Sequence, residues 1–150
     1  MLGYALAFGA MAVLQALVAT GFAVWVCGLD IAGPLALLVV IAVFDAVLGT
    51  ALGLLASGFA RTEFQAVQFM PAFILPQFLL CGLLVPRELL PPVLEAISNV
   101  LPLSYAVDAM KDVTVLADPL DEVLPSLGVI ALWIAFSLAM GSLTLRRRTP

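Results

Sequence analysis

The sequence predicts an all-α membrane protein, a polytopic bundle of four transmembrane helices with a short external re-entrant or interfacial helical hairpin. Of its 150 residues, 64% are hydrophobic and 11% are charged, whereas soluble domains carry about 25% charged residues. Four apolar stretches reach the roughly 20 residues that a helix needs to cross the hydrocarbon core. A shorter amphipathic stretch with prolines at both ends follows the third of them. These observations favour one membrane domain over residues 1–150.

The four predicted spans differ in the segments that join them. A tight turn follows the first span, a short link with Arg61 and Glu63 follows the second, and a long acidic segment follows the third. The spans are predicted at residues 2–28, 34–57, 67–85 and 124–145, with the external segment at 86–123.

The basic residues indicate which ends of the spans face the cytoplasm, because Lys and Arg are enriched in cytoplasmic loops. Arg61 and the arginines at 146–148 lie on one side of a four-span alternation. The other side carries Arg87 and Lys111, spread over a much longer segment. We therefore expect both termini in the cytoplasm and the external segment on the outer face of the bilayer.

Asp45 is the one acidic residue well inside a predicted span. A charge at mid-bilayer costs at least about 2.5–3.5 kcal/mol on insertion scales, so such residues face a bundle interior, a partner or a water-filled cavity. Two interpretations stay open. Asp45 is either part of a polar translocation route or of a contact that couples helices, or it makes a structural hydrogen bond to a neighbour such as Gln15 or Gln77.

Gly49 and Gly53 follow Asp45 at intervals of four residues and form a GxxxG pattern. Small residues at this spacing let helix backbones approach closely in a membrane. The pattern predicts close helix packing by the second span, either within this chain or as a seam with a second copy.

Pro71 and Pro76 interrupt the third predicted span. Each proline removes a backbone donor and crowds the preceding turn, so we expect the helix to kink. The freed carbonyls need partners, and the amides of Gln68 and Gln77 lie close by in the sequence. The kink is interpreted either as a moving hinge or as a static bend.

Residues 90–101 are too few to span a bilayer, but their apolar members recur at helical spacing. Glu95, Ser98 and Asn99 mark the polar face of the predicted helix. Pro91 suits its first turn, where the missing N–H is not needed. We expect a short amphipathic helix that lies half in the membrane interface.

Pro102 is expected to end this helix, and a second short helix is expected to restart over residues 103–111. Ser104 is placed to act as its N-cap, and Tyr105 as an anchor at the membrane interface. The two helices are interpreted either as a plug or gate at an exit, or as an amphipathic lid on the lipid surface.

The chain carries few residues that do chemistry. It has no histidine, and Cys27 and Cys81 lack metal-binding spacing. We expect both thiols to be small buried apolar groups, and a disulfide between them stays open.

No basic face would track phosphates, so nucleic acid is not an expected partner. The spans contain no Ser/Lys or paired-Asp arrangement, and the chain has no Gly-x-x-x-x-Gly-Lys-Ser/Thr loop. We therefore expect neither an enzyme nor a bound cofactor.

Three motifs together carry a family resemblance. They are the Gly-x-x-x-Pro exit of the third span at 82–86, the Leu-Pro-Pro start of the short helix at 90–92, and the segment PLSYAVDAMK at 102–111. In this order, before a last span and a basic tail, they resemble the ABC-2 type transporter permeases. The likeness is greatest to the bacterial drug-exporter branch typified by daunorubicin/doxorubicin resistance permeases, and it covers essentially the whole chain.

The resemblance implies an export subunit in the plasma membrane. Permeases of this family have six spans, so the resemblance implies that this sequence represents spans three to six and that the first two are absent. Two permease copies, as a homodimer or heterodimer, would form a path for a drug-like or lipid-like substrate. Two ATP-binding-cassette subunits would bind ATP and Mg²⁺ and drive transport.

The resemblance also assigns roles to residues. The external gate would include Pro86, Pro91, Pro102 and Tyr105, whereas Arg61 and Glu63 would lie on the cytoplasmic side near the ATPase. Two other functions stay open. A small ion-coupled multidrug transporter would use Asp45 as a proton carrier but has no need of the long external segment. A non-transporting assembly or scaffold protein would instead support the assembly of a partner.

Overall fold

The computed structural model describes residues 2–60 and 62–146, and within them it confirms the all-α prediction. Every regular element there is helical. The elements are α1 (Leu2–Trp25), α2 (Leu35–Phe59), α3 (Glu63–Leu80), a 3-10 turn (Arg87–Leu89), α4 (Pro92–Ser98), α5 (Pro102–Val115) and α6 (Leu120–Arg146).

Three helices of the described residues are long and apolar enough to cross a membrane. Their spanning portions are Leu6–Trp25, Leu35–Phe59 and Leu120–Gly141. The third predicted span, 67–85, is shorter than expected, because α3 ends at Leu80 and its apolar part covers only Val67–Leu80.

A glycine accounts for the early end of α3. Cys81 is the C-cap residue, and Gly82 then adopts a φ of 85°, the left-handed conformation that often terminates helices. Residues 81–85 form bends rather than a helix. Their apolar side chains made them look like a continuation of the span, whereas the backbone turns at Gly82.

The core lies between α2, α5 and α6. These helices meet through two clusters of buried residues: Leu38, Ile41, Ala109, Val113 and Val123 in one, and Leu48, Ala106 and Ile130 in the other. The amphipathic helix α5 therefore does not lie loose on the surface. Its apolar face is a wall of the bundle core.

The link between α1 and α2 fastens the C-terminal end of α5. The backbone N–H of Gly33 donates to the carbonyl of Val113 at 3.0 Å, and that of Ala32 donates to the carbonyl of Thr114 at 3.2 Å. The last carbonyls of a helix have no partners within the helix, so the link satisfies two of them. A Cβ on Gly33 would lie 2.9 Å from the oxygen of Val113, which explains why glycine is needed at this contact.

The helical hairpin that connects α3 to α6 is present, with different boundaries from those predicted. The helix predicted at 90–101 is reduced to α4 (Pro92–Ser98), and α6 begins four residues before the predicted 124. The prediction of Ser104 as an N-cap is wrong, because Leu101 occupies the N-cap position. Pro102 takes the first helical position instead, where its fixed φ is favourable and its missing N–H costs nothing.

Candidate functional site

A cleft of about 210 Å³ lies between α2 and α3, below the start of α5. Four residues predicted to line a path or to pack helices lie together in its wall: Asp45, Gly49, Gly53 and Gln77. The rest of the lining is apolar and consists of Leu48, Leu52, Ala56, Phe73, Ile74 and Leu103. The four residues predicted to line a path or to pack helices thus line one cleft.

Gly49 contributes space to this cleft. A Cβ built on Gly49 meets no heavy atom within 4 Å. At this position the GxxxG pattern therefore does not bring two described helices of the chain into close contact. Within the chain, the absence of a side chain at Gly49 leaves open space in the cleft that Asp45 also lines.

Asp45 lies where three cavities meet. Besides the α2–α3 cleft, it lines a cavity of about 550 Å³ with Gln15 of α1 and one of about 340 Å³ with Lys111 of α5. Within residues 2–60 and 62–146 no hydrogen bond or ion pair forms to its carboxylate. The interpretation of Asp45 as the structural hydrogen-bond partner of Gln15 or Gln77 is therefore wrong in this structure.

Gln77 instead serves its own helix. Its Nε2 donates to the carbonyl of Phe73 at 3.2 Å, and the side chain is only 5% exposed. Phe73 precedes Pro76 by three residues, in the turn that a proline ring crowds. The carbonyl that Pro76 frees belongs to Ala72, four residues before it, so the bond of Gln77 to Phe73 does not confirm the prediction that its amide serves a freed carbonyl. The helix α3 continues through both Pro71 and Pro76.

Two serines join the external hairpin to the end of α3. The hydroxyl of Ser98 donates to the carbonyl of Leu80 at 2.7 Å and lies 3.1 Å from the hydroxyl of Ser104. Both serines are fully buried. The assignment of Ser98 to the polar outer face of α4 is therefore wrong. Its hydroxyl satisfies a carbonyl that the early end of α3 leaves without a helical partner.

Charged groups reinforce the same junction. The guanidinium of Arg87 pairs with the carboxylate of Asp108 at 2.6 Å, and the Nζ of Lys111 donates to the carbonyl of Gly82 at 2.6 Å. Burial raises the pKa of Asp108 above its ordinary value, and the nearby charges of Arg87 and Lys111 only partly oppose this shift. The hairpin is thus held to the end of α3 by polar contacts on both sides of Gly82.

The four residues assigned to an external gate occupy different places. Pro86 and Pro91 are exposed and flank the 3-10 turn, whereas Pro102 is buried at the start of α5. The hydroxyl of Tyr105 donates to the carbonyl of Asn99 at 2.7 Å and so ties α5 to the link after α4. Sequence reasoning missed Lys111 and the Arg87–Asp108 pair, since nothing in their spacing indicates that they meet.

Of the two residues assigned to the cytoplasmic side, the structure describes one. Arg61 lies outside the described residues, and Glu63 is the first residue of α3. Thr62 caps that helix by accepting from the backbone N–H of Gln65 at 3.2 Å. The arginines at 147–148 also lie outside the described residues.

The two cysteines are free thiols and form no disulfide. Cys81 is buried as expected, whereas the prediction of a buried Cys27 is wrong, because that residue is exposed. Among the described side chains, no group of three or more Asp, Glu or Cys residues is arranged to hold a metal ion.

The helices and the cleft define a multi-pass membrane protein with a partly polar cavity between its helices. The family model of the ABC-2 type transporter matches residues 1–114. The chain therefore belongs to the ABC-2 type transporter family and is a permease component, which in this family works with an ABC ATPase. No curated protein and no solved structure matches the chain.

Proposed function

We propose that the chain is the permease subunit of an ABC exporter in the plasma membrane, and that its α2–α3 cleft is part of the path of a drug-like or lipid-like substrate. The observation that carries this proposal is the composition of the cleft. Mostly apolar walls with one carboxylate and one amide are typical of sites for hydrophobic small molecules, where few polar groups set orientation.

The energy for export comes from a separate ATP-binding subunit. The chain has no phosphate-binding loop of the Gly-x-x-x-x-Gly-Lys-Ser/Thr type, so ATP and Mg²⁺ belong to the partner. We place the link between α2 and α3, with Arg61 and Glu63, on the side that faces this ATPase. A second permease copy completes the transporter.

Association and transport test this function. The chain, tagged at its native locus, is purified from membranes in a mild detergent, and an ABC ATPase is expected to co-purify. Efflux of a fluorescent lipophilic substrate from cells is expected to stop when the phosphate-loop lysine of that ATPase is replaced. Efflux that persists in ATP-depleted vesicles and follows a proton gradient would contradict the proposal. Unchanged efflux after deletion of the chain would also contradict it.

We further propose that both termini are cytoplasmic and that the α4–α5 hairpin is external. Single cysteines report this in a background that carries Cys27→Ser and Cys81→Ser. A membrane-impermeant maleimide added to intact cells is expected to label Asn99→Cys, which is exposed beside α4, and to spare Thr62→Cys, which is exposed before α3. The reverse pattern would invert the orientation.

A further inference from the structure

Among the residues that the structure describes, no cation pairs with the carboxylate of Asp45. Residues 31–60, which contain α2, hold no other Asp, Glu, Lys or Arg. The two basic side chains that the structure describes are engaged elsewhere. Lys111 lines the 340 Å³ cavity together with Asp45, but its Nζ donates to the carbonyl of Gly82, and Arg87 pairs with Asp108. Asp45 therefore lines three cavities and has no ion pair among the described residues.

The walls around Asp45 supply the apolar half of a binding site. Leu48 and Leu52 of α2 line the α2–α3 cleft, and Phe73 and Ile74 line it from α3. An aromatic face attracts organic cations, more strongly where water is excluded. Gly49 leaves room beside the carboxylate, since a Cβ there would touch nothing within 4 Å.

We propose that this cleft binds organic cations that carry an apolar group, with Asp45 and Phe73 attracting the positive charge and the aliphatic side chains of the cleft contacting the apolar group. This inference rests on the proposed exporter function and names the substrate class of its cleft. A cation lowers the cost of a carboxylate that lies away from water, whereas a neutral molecule of the same shape leaves that cost in place. Asp45 is thus expected to distinguish between ligands by their charge rather than by their shape.

A pair of ligands that differ only in charge tests the proposal. Benzyltrimethylammonium is the cation, and neopentylbenzene, in which carbon replaces the ammonium nitrogen, is its neutral isostere. Equilibrium dialysis of the purified chain in an uncharged maltoside detergent gives the dissociation constant of each. Asp45→Asn is expected to weaken binding of the cation about tenfold, the effect of losing one modest charge contact, and to leave the isostere unchanged.

Three further variants serve as controls. Asp30→Asn removes a carboxylate from the α1–α2 link and is expected to change neither dissociation constant. Asp45→Glu keeps the charge and is expected to retain most of the preference for the cation. Gly49→Leu fills the cleft and is expected to weaken both ligands. The thermal midpoint of each variant shows whether it is folded.

Some results would overturn the proposal. They are equal binding of the cation by wild type and a folded Asp45→Asn variant, and an equal loss of both ligands in that variant. If Asp45→Asn does not fold, a competition experiment on the wild type tests the proposal. Ammonium compounds of increasing apolar size are then expected to displace benzyltrimethylammonium, and neutral isosteres of matched size are not. Equal displacement by both series would overturn the proposal. A failure here leaves the exporter function standing, because co-purification with the ATPase does not depend on Asp45.

Discussion

The contact at Gly33 gives a prediction whose size follows from distances. Replacing Gly33 by alanine adds a carbon that would lie 2.9 Å from the oxygen of Val113 and 3.0 Å from that of Leu116. Both neighbours are backbone atoms, so no side-chain rotation relieves the overlap. Either the α1–α2 link or the end of α5 must move, and the hydrogen bond from the Gly33 N–H to Val113 moves with it. Overpacking of this kind typically costs about 1–3 kcal/mol.

Thermal unfolding in detergent, followed by tryptophan fluorescence, measures the cost. For a chain of this length each kcal/mol lowers the Tm by about 2–4 °C, so Gly33→Ala is expected to lower it by about 2–12 °C. Trp133 is a useful reporter, because it packs against the cluster that joins α2, α5 and α6. Gly128→Ala is the matched control, since a Cβ there meets nothing within 4 Å. Equal Tm values for the two variants would refute the role assigned to the Gly33 contact.

Three further predictions concern the junction between α3 and the hairpin and the bundle core. Ser98→Ala is expected to lower the free energy of unfolding by about 1–3 kcal/mol, because the carbonyl of Leu80 loses its donor. Ser137→Ala, which removes a buried hydroxyl without a partner in the described residues, is expected to leave stability unchanged or raise it; an equal loss in both variants would contradict this. Burial raises the pKa of Asp108 from its ordinary 3.8, so the folded state holds this proton more tightly than the unfolded state does. The stability gained from binding this proton is fully present below pH 3.8 and is lost as the pH rises through the raised pKa of Asp108. The Tm of the wild type relative to Asp108→Asn is therefore expected to fall as the pH rises above about 4, and a flat or rising difference would exclude this linkage.

The long apolar elements could be predicted from the sequence because their signal is local. Continuous apolar runs of sufficient length indicate α1, α2 and α6 directly. Pro91 likewise indicates where α4 starts, since proline suits the first turn of a helix, whereas Pro102 was expected to end the preceding helix and instead begins α5. The same reasoning failed at the end of α3, because the left-handed turn at Gly82 is invisible where the neighbouring residues stay apolar.

The sequence was enough to predict which residues line the candidate site, but not which hydrogen bonds they form. Asp45 and Gln77 stood out as polar residues in apolar spans, and the structure brings both into one cleft. The hydrogen bond between them that one of the two interpretations offered is absent, and the amide of Gln77 bonds to Phe73 within its own helix. Ser98 was placed on the wrong face, since helical periodicity within α4 takes no account of the carbonyl that the neighbouring α3 leaves open at Leu80.

The unequal attachment of the helices has a consequence for motion. The wall of the cleft that belongs to α2 is continuous with the tightly packed core of α5 and α6. The opposite wall belongs to α3, where Gln77 is the one buried residue among the described side chains of the helix. A substrate that enters the cleft and separates its two walls would therefore displace α3 more easily than α2. The polar contacts near Gly82 would act as the pivot of that movement.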